Sequence, residues 1–236
     1  MNRQPSTIAI DGTAASGKTT LALVLARRLG YLYFDTGMMY RAVTYAALQR
    51  GVLLSEEQAV AEVAAQVRID VYPPTVADGR PATVCVDGND VTWALREAEI
   101  DANVSVVAAY PQVRAEMTRQ QRRIAERGRV VMVGRDIGTV VLPDADLKIY
   151  LDASVETRAR RRWRDYQHNG HTNSYEEILA SMRERDRIDS QRAVAPMRPA
   201  DDAVVIDTTE TAAEEVVERV MRLIESREGD QMSDNG

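Results

Sequence analysis

Gly12-Thr13-Ala14-Ala15-Ser16-Gly17-Lys18-Thr19 constrains this chain more than any other stretch, because it fits G-x-x-x-x-G-K-[ST] in a context that gives the pattern physical meaning. Thr7-Ile8-Ala9-Ile10-Asp11 before it is an apolar strand candidate. After it, Leu21, Val24, Leu25 and Leu29 recur at helical spacing, and Gly30 is placed to close that helix. A strand, a glycine-rich turn and a helix N-terminus together form an anion cradle, in which backbone N–H groups and the helix dipole face phosphate oxygens. Gly12 through Thr19, with Thr20 in the first helical turn, are the expected lining of a nucleoside triphosphate site. Lys18 reaches the β- and γ-phosphates there, and the Thr19 hydroxyl is the expected Mg²⁺ ligand. A chance match in a tight turn is the competing explanation. At average residue usage four such fixed positions recur by accident in fewer than roughly one chain in a hundred of this length. Here the accident is rarer still, since Lys18 and Lys148 are the only lysines among 30 Lys and Arg residues.

Five apolar segments, residues 7–11, 31–34, 129–133, 147–151 and 203–207, alternate with helical stretches. Most are unbroken apolar runs, the pattern of parallel strands buried on both faces, so an α/β doubly wound core is expected. Capping boxes are readable at Ser55–Gln58, Ser174–Glu177 and Thr211–Glu214, and Ser154 marks a weaker helix start. Residues 67–92 break the rhythm. Short extended segments flank Asp87-Gly88, a hairpin signal, and predict a small antiparallel subdomain inserted in the α/β chain.

Composition narrows the function classes. The longest apolar runs are a few residues, too short to cross a membrane, and the first residues carry no apolar signal core, so a cytosolic protein is expected. The single cysteine, Cys85, cannot form an internal disulfide. His168 and His171 flank Gly170 in a polar stretch that reads as a surface loop, and a metal site would need further ligands that the sequence does not place. A net charge of −6 argues against a general nucleic-acid binder. Local charge departs from that mean, with nine arginines from Arg158 to Arg192.

A P-loop alone does not distinguish a GTPase from an ATPase or a kinase. No Asn-Lys-x-Asp guanine motif exists, because neither lysine follows an asparagine. The second strand ends in Asp35-Thr36-Gly37-Met38-Met39-Tyr40-Arg41, where Thr36 is placed to cap the next helix. Arg41 by itself is as well explained as a solvated helix charge. The third strand ends in Gly134-Arg135-Asp136-Ile137-Gly138-Thr139, and ligands of open α/β sheets bind outside the carboxyl ends of strands. Arg158, Arg161 and Arg162 share a helical face, as do Arg185, Asp189 and Arg192. Ion pairing among Glu184, Asp186 and Arg187 accounts for some of this charge. So many planar cations also suit the binding of phosphate oxygens.

These motifs together resemble the bacterial cytidylate kinases over essentially residues 7–225. The resemblance rests on Ile10-Asp11-Gly12 with the P-loop, on Asp35-Thr36-Gly37-Met38-Met39-Tyr40-Arg41-Ala42-Val43, on Gly134-Arg135-Asp136-Ile137-Gly138-Thr139-Val140-Val141, and on Arg185-Asp186-x-x-Asp189-Ser190-x-Arg192-x-x-Ala195-Pro196. It implies a P-loop kinase core with a five-stranded parallel sheet flanked by helices, a small antiparallel β insertion and an arginine-rich lid. The core would occupy residues 1–66 and 93–227, the insertion 67–92, the lid about 158–175, and a frayed tail 228–236. It implies transfer of the γ-phosphoryl group of ATP, with Mg²⁺, to CMP or dCMP by a cytosolic monomer with no nucleic-acid or membrane partner. Another small-molecule P-loop kinase is the alternative. By the same resemblance, Ser105, Arg114 and Asp136 read cytosine, and Thr36, Arg41 and Arg135 clamp the monophosphate. Arg185, Asp189 and Arg192 lie near sugar and phosphate, and Arg158 and Arg162 belong to the lid over ATP. Lys18, Arg135, Arg158, Arg162 and Arg192 would carry the catalysis. The chain departs from the family pattern in Thr36, commonly Ser, and in Gly-Thr-Ala-Ala-Ser-Gly for Gly-Pro-x-Gly-Ser-Gly.

Overall fold

A computed structural model of the chain describes residues 4–168, 172–191 and 194–230, the last four by backbone alone. Arg192 and His171, singled out above, lie outside the described residues. So do residues 231–236 of the expected tail, whereas residues 228–230 belong to the last helix.

The strands fall where the apolar runs predict them. β1 is Thr7–Gly12, β2 Leu32–Asp35, β6 Val130–Val133, β7 Leu147–Asp152 and β8 Val204–Asp207. They form one five-stranded sheet of order β2-β6-β1-β7-β8, and β7 pairs in parallel with both β1 and β8. Ile8, Ile10, Val131, Met132 and Leu147 are all wholly buried, which is why β1, β6 and β7 show no polar alternation, whereas β8 at the sheet edge leaves Val205 exposed. The expected insertion is a separate antiparallel sheet of β3 (Ile69–Tyr72), β4 (Thr83–Val86) and β5 (Asn89–Asp90). Its hairpin turns through Asp87 at φ 50° and Gly88 at φ 84°, and Val86 pairs with Asn89. Two consecutive positive φ values are the signature of the tight turn that Asp-Gly favours.

The chain divides into two compact units. One is built from residues 1–31 and 131–236, the other from 32–130. Within the first, α1 (Lys18–Leu29) follows β1, α6 (Val155–His168) and α7 (Tyr175–Gln191) follow β7, and α8 (Ala213–Asp230) closes the described chain. The second holds α2 (Gly37–Gln49), α3 (Glu57–Gln66), α4 (Ala98–Val107) and α5 (Pro111–Ala125) with the small sheet. There α5 is pinned to β3 through one buried carboxylate. Asp70 takes Arg123 and Arg127, each at 2.8 Å, and Arg123 also donates to the Ile69 carbonyl at 2.6 Å.

Two helix starts follow the expected capping. The Ser174 backbone N–H donates to Glu177 at 2.9 Å and the Glu177 N–H donates to the Ser174 hydroxyl at 3.2 Å, a reciprocal box. The Thr157 N–H donates to the Ser154 hydroxyl at 3.3 Å. Others are corrected. The Ser55 box does not form, because α3 begins at Glu57 and its cap, Glu56, makes no side-chain capping bond. Thr211 turns its hydroxyl back to the Asp207 carbonyl at 3.2 Å, and α8 starts two residues later. Thr36 precedes α2 without a capping bond from its side chain. The Asp35 carboxylate accepts the Gly37 N–H at 2.9 Å instead.

Candidate active site

The P-loop forms where β1 runs into α1. Gly12 at φ 140°, Ala15 at φ 59° and Gly17 at φ 95° supply the left-handed turns that reverse the backbone there, and Gly30 at φ 66° ends α1 as expected. Inside the loop the Thr13 carbonyl is a hub. It accepts the Ser16 hydroxyl at 3.0 Å and the Lys18 ammonium at 2.5 Å. Lys18 thereby folds across the mouth of the loop, and with Thr19 and Thr20 it lines a cleft of about 780 Å³. The far wall comes from Arg161, Arg162 and Asp165 of α6 and from Thr211, Ala212, Ala213 and Val216 at the start of α8.

Arg158, Arg161 and Arg162, one face by spacing, have three different environments. Arg158 is 3% exposed and works as an internal tie. Its guanidinium donates to the carbonyls of Ala153 at 2.8 Å and Ala14 at 3.3 Å, and pairs with Asp186 of α7 at 2.5 Å. Arg161 donates to the Thr208 carbonyl at 2.5 Å and hydroxyl at 3.2 Å. Arg162 lies over the Tyr166 ring, 5.2 Å from its centroid, and faces both the main cleft and a smaller cavity of about 180 Å³ that Arg185 also lines. Of the charges expected to pair locally on α7, Glu184 and Arg187 do so at 2.7 Å, while Asp186 reaches across to Arg158.

An apolar cluster joins this hairpin of helices to the loop. Ala14, Ala159, Ile178 and Met182 form its buried centre, and Ala15, Trp163 and Tyr166 pack against it. Alanine at φ 59° carries strain of about 1–2 kcal/mol that glycine does not. Ala15→Gly is therefore expected to raise Tm by about 2–4 °C, after allowance for the lost methyl contact. A differential scanning calorimetry trace with Tm unchanged or lowered would mean that the packing of this methyl outweighs the strain.

At the carboxyl end of β6, Arg135 pairs with Asp189 of α7 at 2.9 Å and donates to the Met197 sulfur at 3.8 Å. Asp136 is 7% exposed. A wide helical turn, Ile137–Val141, follows at once. In the other unit, Arg41 is held by the carboxylate of Asp101 and donates to the Leu95 carbonyl at 3.2 Å, so it is not a freely solvated helix charge. Thr36 is buried, and Ser105 is exposed on α4. Arg114 is buried on α5 with its guanidinium over the Tyr40 ring, 5.5 Å from the centroid, and donates to the Ala108 carbonyl at 3.2 Å.

Three further groups belong to the neighbourhood of the P-loop, and sequence reasoning assigns none of them a role in the site. Thr208 is 4% exposed, and its hydroxyl donates to the Ser16 carbonyl at 3.0 Å, tying the segment after β8 to the P-loop. Arg161 is distinguished from its neighbours only by that threonine. Asp11 is 4% exposed; burial pushes its carboxyl up to about 6, against the opposing pull of the Gly138 and Ile137 amides. Its place beside Gly12 is visible in the sequence, but its partners are more than a hundred residues away.

Comparison with known proteins agrees with the motifs. The cytidylate kinase family model matches residues 8–226. The chain is 52% identical over 227 residues to the cytidylate kinase of Chloroflexus aggregans, covering 96% of this chain and 97% of that one. It is 46% identical over 220 residues to the cytidylate kinase of Bacillus subtilis, covering 93% and 96%. Among solved structures, an uncharacterized protein from Eubacterium ventriosum shares the fold with a TM-score of 0.53 at 13% identity, over 93% of this chain and 98% of the other. With a P-loop cleft in place and relatives matched almost end to end, the chain belongs to the cytidylate kinase family.

Proposed function

We propose that this protein transfers the γ-phosphoryl group of ATP to CMP or dCMP, giving CDP or dCDP and ADP. The observation that carries the reading is the family match over residues 8–226 in a chain whose P-loop opens onto an arginine-lined cleft. The acceptor is itself a phosphate, whose second pKa lies near 6 judging from phosphorylated side chains, so it is largely ionised at neutral pH and needs no general base. Catalysis is then positioning and charge neutralisation. Lys18 and Arg162 hold the donor phosphates. Arg158 supports the loop and the helices over it through Ala14 and Asp186. Thr19, exposed in the first turn of α1 on the same cleft, suits a Mg²⁺ ligand. The ion, when bound, neutralises charge on the β- and γ-phosphates. Thr36, Arg41 and Arg135 are assigned to the acceptor phosphate, and Arg185, Asp189 and Arg192 to its sugar and phosphate. Closure of the arginine-bearing segment would exclude the water that otherwise hydrolyses ATP. No helix among the described residues is long and apolar enough to cross a membrane, and the cytosol and a monomeric state remain part of the proposal. A coupled ADP-release assay with CMP, dCMP, UMP, AMP and shikimate tests it; preference for any acceptor outside the cytidine pair overturns it.

Base choice gives a sharper test. Cytosine offers an exocyclic amine beside an N3 acceptor, whereas uracil offers a carbonyl beside an N–H. A carboxylate at Asp136, aided by the Ser105 hydroxyl, accepts from the amine, and Arg114 donates to N3 or O2. UMP sets a carbonyl against the carboxylate, and sites built on such contacts reject the mismatched analogue by about 10⁴-fold. Asp136→Asn keeps the shape and supplies an amide donor. CMP turnover is expected to fall and the CMP/UMP ratio of kcat/KM to narrow by about tenfold or more. If Asp136 merely orders Arg135, both activities fall together and the ratio stays put.

A further inference from the structure

Asp11 is a buried carboxylate beside the P-loop to which the phosphotransfer reading gives no task. Its two carboxylate oxygens accept the backbone N–H groups of Ile137 and Gly138, each at 2.7 Å. Those amides open the turn that follows Arg135 and Asp136, and the first donors of a helical turn have no partner within it. Further along, the turn closes on itself. Val140 and Val141 donate to the Asp136 carbonyl at 2.9 and 3.2 Å, and Leu142 donates to that of Ile137 at 2.7 Å. The carboxylate therefore anchors the end that carries Arg135 and Asp136. Where it meets Asp11 the turn is also tightly backed. A methyl group at Gly138 would stand 3.2 Å from the Lys148 side chain and 3.4 Å from Asp11 itself. The charges acting on Asp11 are Asp136, which opposes its ionisation, and Lys18, which favours it. The Lys18 ammonium donates to the Thr13 carbonyl, and that of Lys148 donates to Asp202 at 2.8 Å. Two amides of a single turn, each at 2.7 Å, are the donors that this carboxylate accepts.

We propose that Asp11 is a positioning residue for the acceptor, setting Arg135 and Asp136 through the Ile137 and Gly138 amides although it sits at the threshold of the ATP loop. The inference rests on the assignment of Arg135 and Asp136 to the acceptor. A purely local role at the end of β1 predicts something different, namely damage to ATP binding through the adjoining Gly12.

Asp11→Asn separates the two. Asparagine presents one oxygen and one NH₂ group, so one of the two backbone donors must face another donor. In the full-length chain, the KM for CMP is expected to rise about ten- to a hundredfold, the scale of effect that small misplacements in a site produce. The KM for ATP, and ATP binding measured by calorimetry without CMP, should stay at the wild-type values. Gly138→Ala crowds the same turn against Lys148 and Asp11 and should give a weaker version of the same split; it carries the test if Asp11→Asn fails to fold. Parallel rises in both KM values, a rise for ATP alone, or no change overturns the role. A wild-type enzyme that does not use CMP or dCMP overturns the functional reading and this inference with it. A CMP-active wild type with an unsplit Asp11→Asn overturns the inference alone.

Discussion

Lys18→Ala is expected to lower kcat for CMP phosphorylation by about 10²–10³ while the protein stays folded, the range seen when one preorganised electrostatic donor is removed from a transition state. The structure separates these two effects. Lys18 is half-buried at the first position of α1, and its ammonium donates to the Thr13 carbonyl. The Ser16 hydroxyl still reaches that carbonyl in the variant, so the loop keeps part of its internal bonding. Loss of one such bond costs about 1 kcal/mol, a shift in Tm of about 2–4 °C for a chain of this size. Lys18→Arg is a useful companion, because a planar fork cannot occupy the place of a compact ammonium on one phosphate oxygen. Calorimetry and single-turnover kinetics on both variants decide the matter. A folded Lys18→Ala enzyme retaining more than about a tenth of wild-type kcat would remove the P-loop from the mechanism.

Gly12→Ala carries the largest expected loss of stability. Gly12 ends β1 and pairs in register with Leu151 of β7, at φ 140°. A Cβ there would stand 2.0 Å from the Leu151 carbonyl oxygen, and both strands are buried, so neither backbone can yield without breaking the centre of the sheet. A cost of about 4 kcal/mol or more is expected, against a total stability of about 5–15 kcal/mol for a typical domain. Gly17→Ala is the control. It also has a positive φ, 95°, but a Cβ there meets nothing within 4 Å, so only the backbone strain of about 1–2 kcal/mol applies. Urea unfolding should therefore rank wild type above Gly17→Ala and Gly17→Ala well above Gly12→Ala. Equal midpoints for the two variants would mean that the strand pair adjusts around the methyl group.

The strands were legible because burial on both faces leaves a signature in consecutive residues, as in Val130–Val133 and Leu147–Asp152. The Asp87-Gly88 turn was legible for a related reason: its conformation is demanded by two adjacent residues. Even β5, which is only Asn89–Asp90 and has no apolar residue, was located by that turn. Capping was half legible, since a serine signals its capacity to accept an amide but not whether a nearer acceptor, such as Asp35 for Gly37, will take it. The P-loop end of the site was legible in eight consecutive residues. The supports of that end were not. Arg158 finds Asp186 on the next helix, Thr208 finds Ser16 from the far end of the chain, and Asp11 finds Gly138; no local pattern distinguishes these residues from ordinary polar ones.

The discontinuity of the unit that carries the P-loop has a consequence for synthesis on the ribosome. β1 is made before the 32–130 unit, yet its register partner β7 begins at Leu147, so the pairing of Gly12 with Leu151 must wait for the whole of that unit to be translated. At typical elongation rates that interval is on the order of 10 s. Throughout it the nascent ATP loop has one strand and no sheet to hold it, while the intervening unit gains the last residue of its own packing, Val130, before β7 begins. The first part of the site to be written is therefore among the last to be built, and the chain cannot bind its triphosphate in a formed cleft until well over half of it has emerged.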